Sequence, residues 1–435
     1  MAALDPNWVR AQFPALAKTI NNQPAVFFDG PGGTQVPQRV IDAIGNYLIH
    51  ANANSHGAFA TSRRTDETIE AAHAAMADLL GCDPDEVIFG PNMTTLTFAF
   101  SRAIGRALGP GDEIVVTRLD HDANVAPWRA LEERGVTVRT VDIDTEDCTL
   151  DMDDLRRQIN ERTKLVAVGY ASNAVGTIND VAEVTRLAHN VGALSYIDAV
   201  HYAPHGPIDV RTLDCDFLAC SPYKFFAPHM GALYGKREHL ARLHPYKVRP
   251  ATNEVPGRWM TGTQNHEGLA GVTAAIEYLA ELGSRIDDRR WKIEDSNSSS
   301  SIIYPLSSNS RRQALLVAMN AIKEYERGLA AKLIAGLLAI PGLTFYGISD
   351  PERFSARTPT VAIRIAGHPP HELATYLGER GIFTWDGNYY ALSLTERLGV
   401  EADGGMLRIG LAHYNTAEEL DRLLEALNEI VRMAL

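Results

Sequence analysis

The sequence predicts an α/β chain with a mainly parallel seven-stranded sheet in a large domain and a smaller α+β C-terminal domain. Three observations predict it. Short apolar or β-branched runs alternate with amphipathic stretches through the first two thirds of the chain, the pattern of a parallel sheet covered by helices. The length, 435 residues, exceeds one core of ordinary size and suits two unequal domains. A stretch crowded with serine and asparagine, residues 295–312, then reads as a linker before a second set of elements.

Taken in order, residues 86–89, 113–117, 136–142, 164–169, 193–198, 216–220 and 232–235 read as strands. Between them, residues 67–80, 94–108, 151–159 and 181–191 repeat apolar side chains every three or four positions and read as crossover helices. A further helix is expected over 267–282. Within the linker, Ile302, Ile303 and Tyr304 could pin part of the segment to a surface. A long helix over 314–338, strands near 360–366 and 406–410, and a closing helix over 417–433 form the second set. The expected division is a large domain over 26–283 and a small one from 1–25 with 284–435, carrying 295–312 as a flexible insertion.

Composition narrows the function. With 45% hydrophobic and 22% charged residues the chain has ordinary globular usage. Its formal net charge is -13 and its basic residues are scattered, so nucleic acid and anionic membrane are poor partners. No apolar run approaches the roughly 20 residues that span a bilayer, and the first ten residues carry Asp5 and no hydrophobic segment. A cytoplasmic protein is expected. The four cysteines, Cys82, Cys148, Cys215 and Cys220, form no CxxC pair and suggest neither a zinc site nor a redox dithiol.

In an open parallel sheet, ligands gather beyond the carboxyl ends of the strands, so polar residues just after predicted strands are where chemistry is expected. Five such places stand out. Met93, Thr94 and Thr95 open a helix whose free N–H groups and hydroxyls could hold a phosphate, although helix capping alone would also explain them. His121, in the run Asp120 to Asn124, could lie flat on an aromatic cofactor ring, or simply be solvated. Asn173 could donate to a phenolate or carboxylate, or serve a turn. Asp198, followed by Ala199, Val200 and His201, puts a carboxylate where an apolar strand ends; it could meet a protonated ring nitrogen, or cap a turn. Lys224, among Ser221, Pro222, Tyr223, Phe225 and Phe226, sits where apolar surroundings disfavour the ammonium and free the amine for a Schiff base; many lysines beside aromatics only snorkel. Order strengthens the set: phosphate cradle, stacking ring, amide, acid and lysine follow on successive strand ends, the layout a pyridine aldehyde phosphate requires.

These residues resemble the class V aminotransferase family, most closely its cysteine desulfurase-like branch, which includes selenocysteine lyases and relatives of isopenicillin N epimerase. The resemblance runs from about residue 27 to the C-terminus, interrupted at 295–312. It is carried by Asp29 with Gly30, Pro31, Gly32, Gly33 and Thr34, then Thr94-Thr95, Asp120-His121, Ser172-Asn173, Asp198 to His201, Ser221 to Lys224, Gly262-Thr263 and Arg408. It implies fold type I of the pyridoxal-phosphate-dependent transferases, with pyridoxal 5′-phosphate as cofactor. Lys224 would form the internal aldimine and move protons, and with His121, stacked on the ring, would make up the catalytic set. Asp198 would pair with the pyridinium nitrogen, making ring and acid an electron sink. Asn173 and His201 would address the phenolic oxygen; Thr95, Ser221 and Tyr223, beside the Thr94 backbone, would hold the phosphate. Asn173 and Arg408 would bind substrate, Arg408 as a bidentate clamp on its carboxylate. Thr263 would reach the phosphate of a neighbouring subunit, which implies a homodimer with shared sites.

Three departures bear on the activity. His201 stands where desulfurases usually carry glutamine, and Tyr223 where they carry histidine. Their mobile-loop cysteine is missing, because residues 381–390 hold no thiol and no cysteine follows Cys220. A persulfide-forming mechanism is therefore disfavoured. The expected enzyme acts on an amino acid through an external aldimine, as a lyase by C–S cleavage or β-elimination or as an aminotransferase; epimerisation and a non-catalytic cofactor-binding homologue are the alternatives. Trp385, Tyr389 and Tyr390 suit a pocket for an apolar or ring-bearing side chain and suit plain packing equally. A nicotinamide dehydrogenase fits less well because Gln35 stands where the third fingerprint glycine belongs, and a metal hydrolase because no HExxH motif occurs.

Overall fold

The computed structural model describes residues 4–294 and 308–433. The large sheet contains seven strands: β1 (Val87–Gly90), β2 (Glu113–Thr117), β3 (Thr137–Val141), β4 (Thr163–Gly169), β5 (Leu194–Asp198), β6 (Phe217–Cys220) and β7 (Gly231–Gly235). Their spatial order is β1-β7-β6-β5-β4-β2-β3, with β7 antiparallel to both neighbours and every other pairing parallel. All seven runs expected from the sequence are strands, with ends shifted by one residue at most.

The alternation of strand side chains sorts this sheet onto two buried faces. Along β4, Leu165 and Ala167 join one core while Val166 and Val168 join the other. A sheet buried on both faces needs apolar residues at every position, so such strands read as continuous runs. Helices α1 (Gln38–His50), α2 (Ala60–Leu80), α3 (Met93–Gly105) and α4 (Val181–Asn190) flank the sheet. The start of α3 has a local cause: the Asn92 carboxamide oxygen accepts from the Thr95 amide at 2.8 Å. Gly231 opens β7 so close to the Asn92–Met93 backbone that a β-carbon there would overlap it.

Helices α5 (His266–Glu294) and α6 (Ser308–Leu338) are longer than the 267–282 and 314–338 expected. Residues 295–307 of the expected flexible insertion lie outside the described residues; residues 308–312 are helical. They are also anchored. Arg311 pairs with Asp78 at 2.6 Å and Glu277 at 2.8 Å, and Arg312 with Asp209 at 3.1 Å.

A second sheet holds β8 (Leu343–Tyr346), β9 (Thr360–Ile365), β10 (Trp385–Gly387) and β11 (Met406–Gly410), in the antiparallel order β8-β9-β11-β10. One of its faces packs Val361, Ile363, Leu407 and Ile409 against α6, α7 (Pro370–Glu379) and α8 (Ala417–Met433). The other face turns Ala362 and Met406 toward Ala174, Val175 and Tyr389. Arg408 shares the alternation of Met406, so its side chain points into this seam.

We propose the domain division 26–283 against 1–25 with 284–435 on these two sheets, with one qualification from packing. Val9, Phe13 and Leu16 belong to the core of the large sheet, while Arg10 bonds Glu419 at 2.8 Å and so ties the N-terminal segment to α8 as well. Among the described residues, no helix is long and apolar enough to cross a membrane.

Candidate active site

A cavity of about 570 Å³ opens at the carboxyl ends of β1, β2, β4, β5 and β6 and is closed from the other side by β10, β11 and the turn after β10. Nine predicted residues line it: Thr94, His121, Asn173, Asp198, His201, Ser221, Tyr223, Lys224 and Arg408. Two do not. Thr95 is exposed with its amide committed to Asn92, and Thr263 is exposed away from the wall.

Lys224 ends a short 3₁₀ turn directly after β6, with Phe225 and Phe226 fully buried behind it. Its ammonium donates to the Pro31 carbonyl and lies 4.8 Å from the Tyr223 ring centre. Burial, with the Arg408 charge adding to it, lowers its pKa from the ordinary 10.5 to about 7. Near neutral pH the amine is therefore partly free. Asp198 closes β5 and is 7% exposed; one oxygen accepts from the Val200 amide at 2.9 Å. Burial raises this acid to about 6, while Lys224 pulls it down. An acid held in this way is stabilised by any cation brought against it.

His121 accepts the Ala123 amide on Nδ1 at 3.0 Å. Burial lowers its pKa to about 4, with Lys224 and Arg408 adding to the effect, so the ring is neutral and carries its proton on Nε2. Asp120, a buried residue absent from the expected set, positions that histidine's loop. Its carboxyl accepts Asn124 Nδ2 at 2.9 Å and the Gly169 amide at 2.8 Å, so it ties the end of β2 to the end of β4. Burial pushes it up to about 7. His201 is buried and neutral, its pKa held well below 6.5 by burial, and its Nε2 meets Thr358 Oγ1 at 3.2 Å.

Arg408 is 4% exposed. Its Nη1 donates to the Asn173 carbonyl at 2.9 Å, its guanidinium lies 4.2 Å over the Tyr389 ring, and its Nε has no protein partner. Burial lowers its pKa to about 10. Asn173 donates from Nδ2 to the Tyr389 carbonyl at 2.9 Å, leaving Oδ1 buried without a partner. Asp29 is the second residue outside the expected set. Its carboxyl feels both Arg408 and Lys224, is raised to about 6 chiefly by burial, and has one buried oxygen without a partner. The sequence signal was present, since Asp29 heads the glycine-rich run 30–33 that the resemblance singled out.

Tyr389 and Tyr390 have φ of 56° and 61°, a left-handed pair that costs on the order of 1 kcal/mol or more per non-glycine residue. The surroundings hold it. Tyr389 donates to the Met406 carbonyl, the Asp122 amide donates to the Tyr390 carbonyl at 2.7 Å, and Asn173 holds the Tyr389 carbonyl. The stretch where the resemblance implies a mobile thiol loop is thus a β-strand and a turn bonded on both sides.

The sequence model described as aminotransferase class-V matches residues 26–297 and 313–423. The chain belongs to the class V aminotransferase family. It is 31% identical to the cysteine desulfurase of Dickeya dadantii, over 98% of this chain and 96% of that one. The apo cysteine desulfurase of Thermococcus onnurineus superposes with a TM-score of 0.84 at 25% identity, covering 100% of both chains. The Escherichia coli cysteine desulfurase CsdA gives 0.81 at 28% identity over 99% of each. The fold is fold type I of the pyridoxal-phosphate enzymes, in the cysteine desulfurase-like branch of this family. Its cofactor is pyridoxal 5′-phosphate. The cavity fits that group: a partly neutral amine in Lys224, a buried acid in Asp198 lacking a cationic partner, an unpartnered amide oxygen in Asn173, and the N-terminus of the 13-residue helix α3 beside Thr94.

Proposed function

We propose that this chain is an enzyme that labilises a bond at or near the α-carbon of an amino acid, as a lyase acting by C–S cleavage or β-elimination or as an aminotransferase, and that it does so without passing sulfur to a protein cysteine. One observation carries the reading. Lys224, Asp198 and Arg408 share one cavity, and none of the four cysteines lines it. Cys148, Cys215 and Cys220 are buried and Cys82 partly so, and burial raises every thiol above its ordinary value, so none offers a thiolate nucleophile.

Pyridoxal phosphate, when bound, supplies an electrophilic aldehyde and an electron-withdrawing ring that weakens bonds at the substrate α-carbon. The remaining work falls to the side chains. Lys224 Nζ, with a pKa near 7, takes and returns the α-proton. Asp198 would keep the ring nitrogen protonated, His121 would cover the ring face, Asn173 and His201 would face its phenolic oxygen, and Ser221, Tyr223 and Thr94 would hold its phosphate. Arg408, poor in partners and buried, clamps the substrate carboxylate. A homodimer goes with this reading, in which Thr263, absent from the lining of its own cavity, would meet the phosphate of a second chain, and so does a cytoplasmic setting.

Borohydride trapping followed by peptide mapping is expected to label Lys224; a label on another lysine refutes the assignment. A panel of amino acids is then assayed separately for sulfide, keto acid and inverted stereochemistry. Turnover is expected with no sulfur added to any cysteine in the intact protein mass. Persulfide on Cys82, Cys148, Cys215 or Cys220 during turnover overturns the thiol-free reading, and absence of turnover with every amino acid overturns the enzyme reading.

A further inference from the structure

We propose that the amino acid taken by this cavity carries an apolar or aromatic side chain, packed against the aromatic surface that Trp385 and Tyr390 expose to it. The inference rests on the reading that Arg408 holds the substrate carboxylate and Lys224 works at its α-carbon. Two independent contacts then fix where the side chain goes. Trp385 is the cross-strand partner of Arg408 in the β10–β11 register, so both side chains stand on the same face. Its indole also packs on Gly32 so closely that a β-carbon there would overlap the indole nitrogen, and the adjoining Pro31 carbonyl accepts from Lys224. Trp385 therefore borders both groups that hold the amino acid, one through the strand and one through the 31–32 backbone.

Tyr390 lines the same cavity from the turn after β10. Its ring stacks on His121 with centres 5.4 Å apart and planes 23° from parallel, and its left-handed backbone is pinned by the Asp122 amide. Trp385 is 51% exposed and Tyr390 72%, although both line the cavity. Aromatic surface on this scale at the rim of a site is available to be covered by a ligand.

The charged groups on the same wall are already engaged. Asp386 meets His371 Nδ1 at 3.2 Å, and Glu401 accepts Asn388 Nδ2 at 2.9 Å and the Thr395 hydroxyl. Among the described residues the cavity's only lysine and arginine are Lys224 and Arg408, both assigned to the reacting end. An acidic side chain would find no cation there, whereas an apolar one would bury itself against two aromatic rings.

The test is a spectral titration of the holoenzyme with L-phenylalanine, L-leucine, L-alanine and L-aspartate, read as half-saturation of the change in cofactor absorbance. L-phenylalanine is expected to half-saturate at about tenfold or more below L-alanine, with L-aspartate weakest. Trp385→Ala is expected to bring the phenylalanine and alanine values together, and Trp385→Phe to keep them apart. Tyr390→Ala, at an exposed position, is expected to narrow the gap and covers the case in which Trp385→Ala fails to fold. A response to alanine or aspartate as strong as that to phenylalanine overturns the side-chain inference alone. So does a ratio unchanged by both alanine variants. No response to any amino acid overturns this inference together with the enzyme reading.

Discussion

Replacing Lys224 by methionine removes both the reactive amine and the cost of burying it, and the second effect is measurable without cofactor. The lysine pKa falls from 10.5 in the unfolded chain to about 7 in the folded one. Between those values the unfolded state binds the extra proton, so stability rises with pH; below pH 7 both states are protonated and the penalty is complete. Integration gives a penalty of about 4 kcal/mol at pH 7, shrinking to about 1 kcal/mol at pH 10. Methionine loses the hydrogen bond to the Pro31 carbonyl, about 1 kcal/mol, which leaves the variant about 3 kcal/mol ahead at pH 7 and level at pH 10. For a chain of 435 residues the unfolding entropy is about 0.9 kcal/mol per kelvin, so the pH 7 advantage is about 3 °C in Tm. Thermal melts of cofactor-free wild type and Lys224→Met from pH 6 to 10 read this directly. Parallel curves across that range, or a wild type more stable than the variant at pH 7, would refute a buried, partly neutral Lys224.

Asp198→Asn keeps the shape but cannot hold a proton on the ring nitrogen; turnover is expected to fall by about 100-fold or more while the protein still binds cofactor, checked by absorbance and steady-state rates. Arg408→Lys shortens the cation and loses the planar fork, and half-saturation by an amino acid is expected to rise by about tenfold or more in spectral titration. Asp29→Asn removes a negative charge that competes with the substrate carboxylate for Arg408. Because the Asp29 carboxyl titrates at about 6, the variant is expected to bind amino acids a few-fold more tightly than wild type at pH 8 and equally at pH 5; equal weakening at both pH values would show a purely structural role.

The large sheet was legible because its central strands are buried on both faces and therefore carry continuous apolar runs, as in residues 165–168. The site followed from it, since Asp198, His121, Asn173 and Lys224 stand within a few residues of strand ends and the strand order does the rest. Helix α1 was not read, although Val40 and Tyr47 are seven residues apart and both buried, because the segment contributes only these two fully buried side chains. The start of α2 was placed at 67, whereas its first turns, from Ala60, carry Ser62, Arg63, Arg64 and Asp66 with too few apolar residues to set a period. The roles of Asp29 and Trp385 depend on long-range neighbours. Asp29 bridges Gly410, and Trp385 acquires its position only through register with Arg408. Neither partner can be inferred from local spacing. Thr95 shows the converse limit, because the Asn92 cap next to it takes the amide that a phosphate would need.

Charge in the cavity explains why the two sheets must meet there. Burial drives the ionisable groups at its reacting end toward neutrality: Asp198, and Asp29 close to Arg408 and Lys224, are raised to about 6, Lys224 is lowered to about 7 and Arg408 to about 10. Such a set is held in a state that water would not choose, and groups of complementary charge placed beside each member relieve it. In the proposed reading an amino acid brings a carboxylate to Arg408, on the small sheet, and its reacting carbon to Lys224, on the large one. Neither sheet can satisfy that ligand alone. The turn at 388–390 is bonded to both sides, through Asn173 and Asp122 on one and Met406 on the other, so it ties β11 to the strand ends of the large sheet. In the proposed reading a closure tied down in this way holds an amino acid but carries no thiol in residues 381–390 to take sulfur away, which is the physical reason for seeking its products in solution.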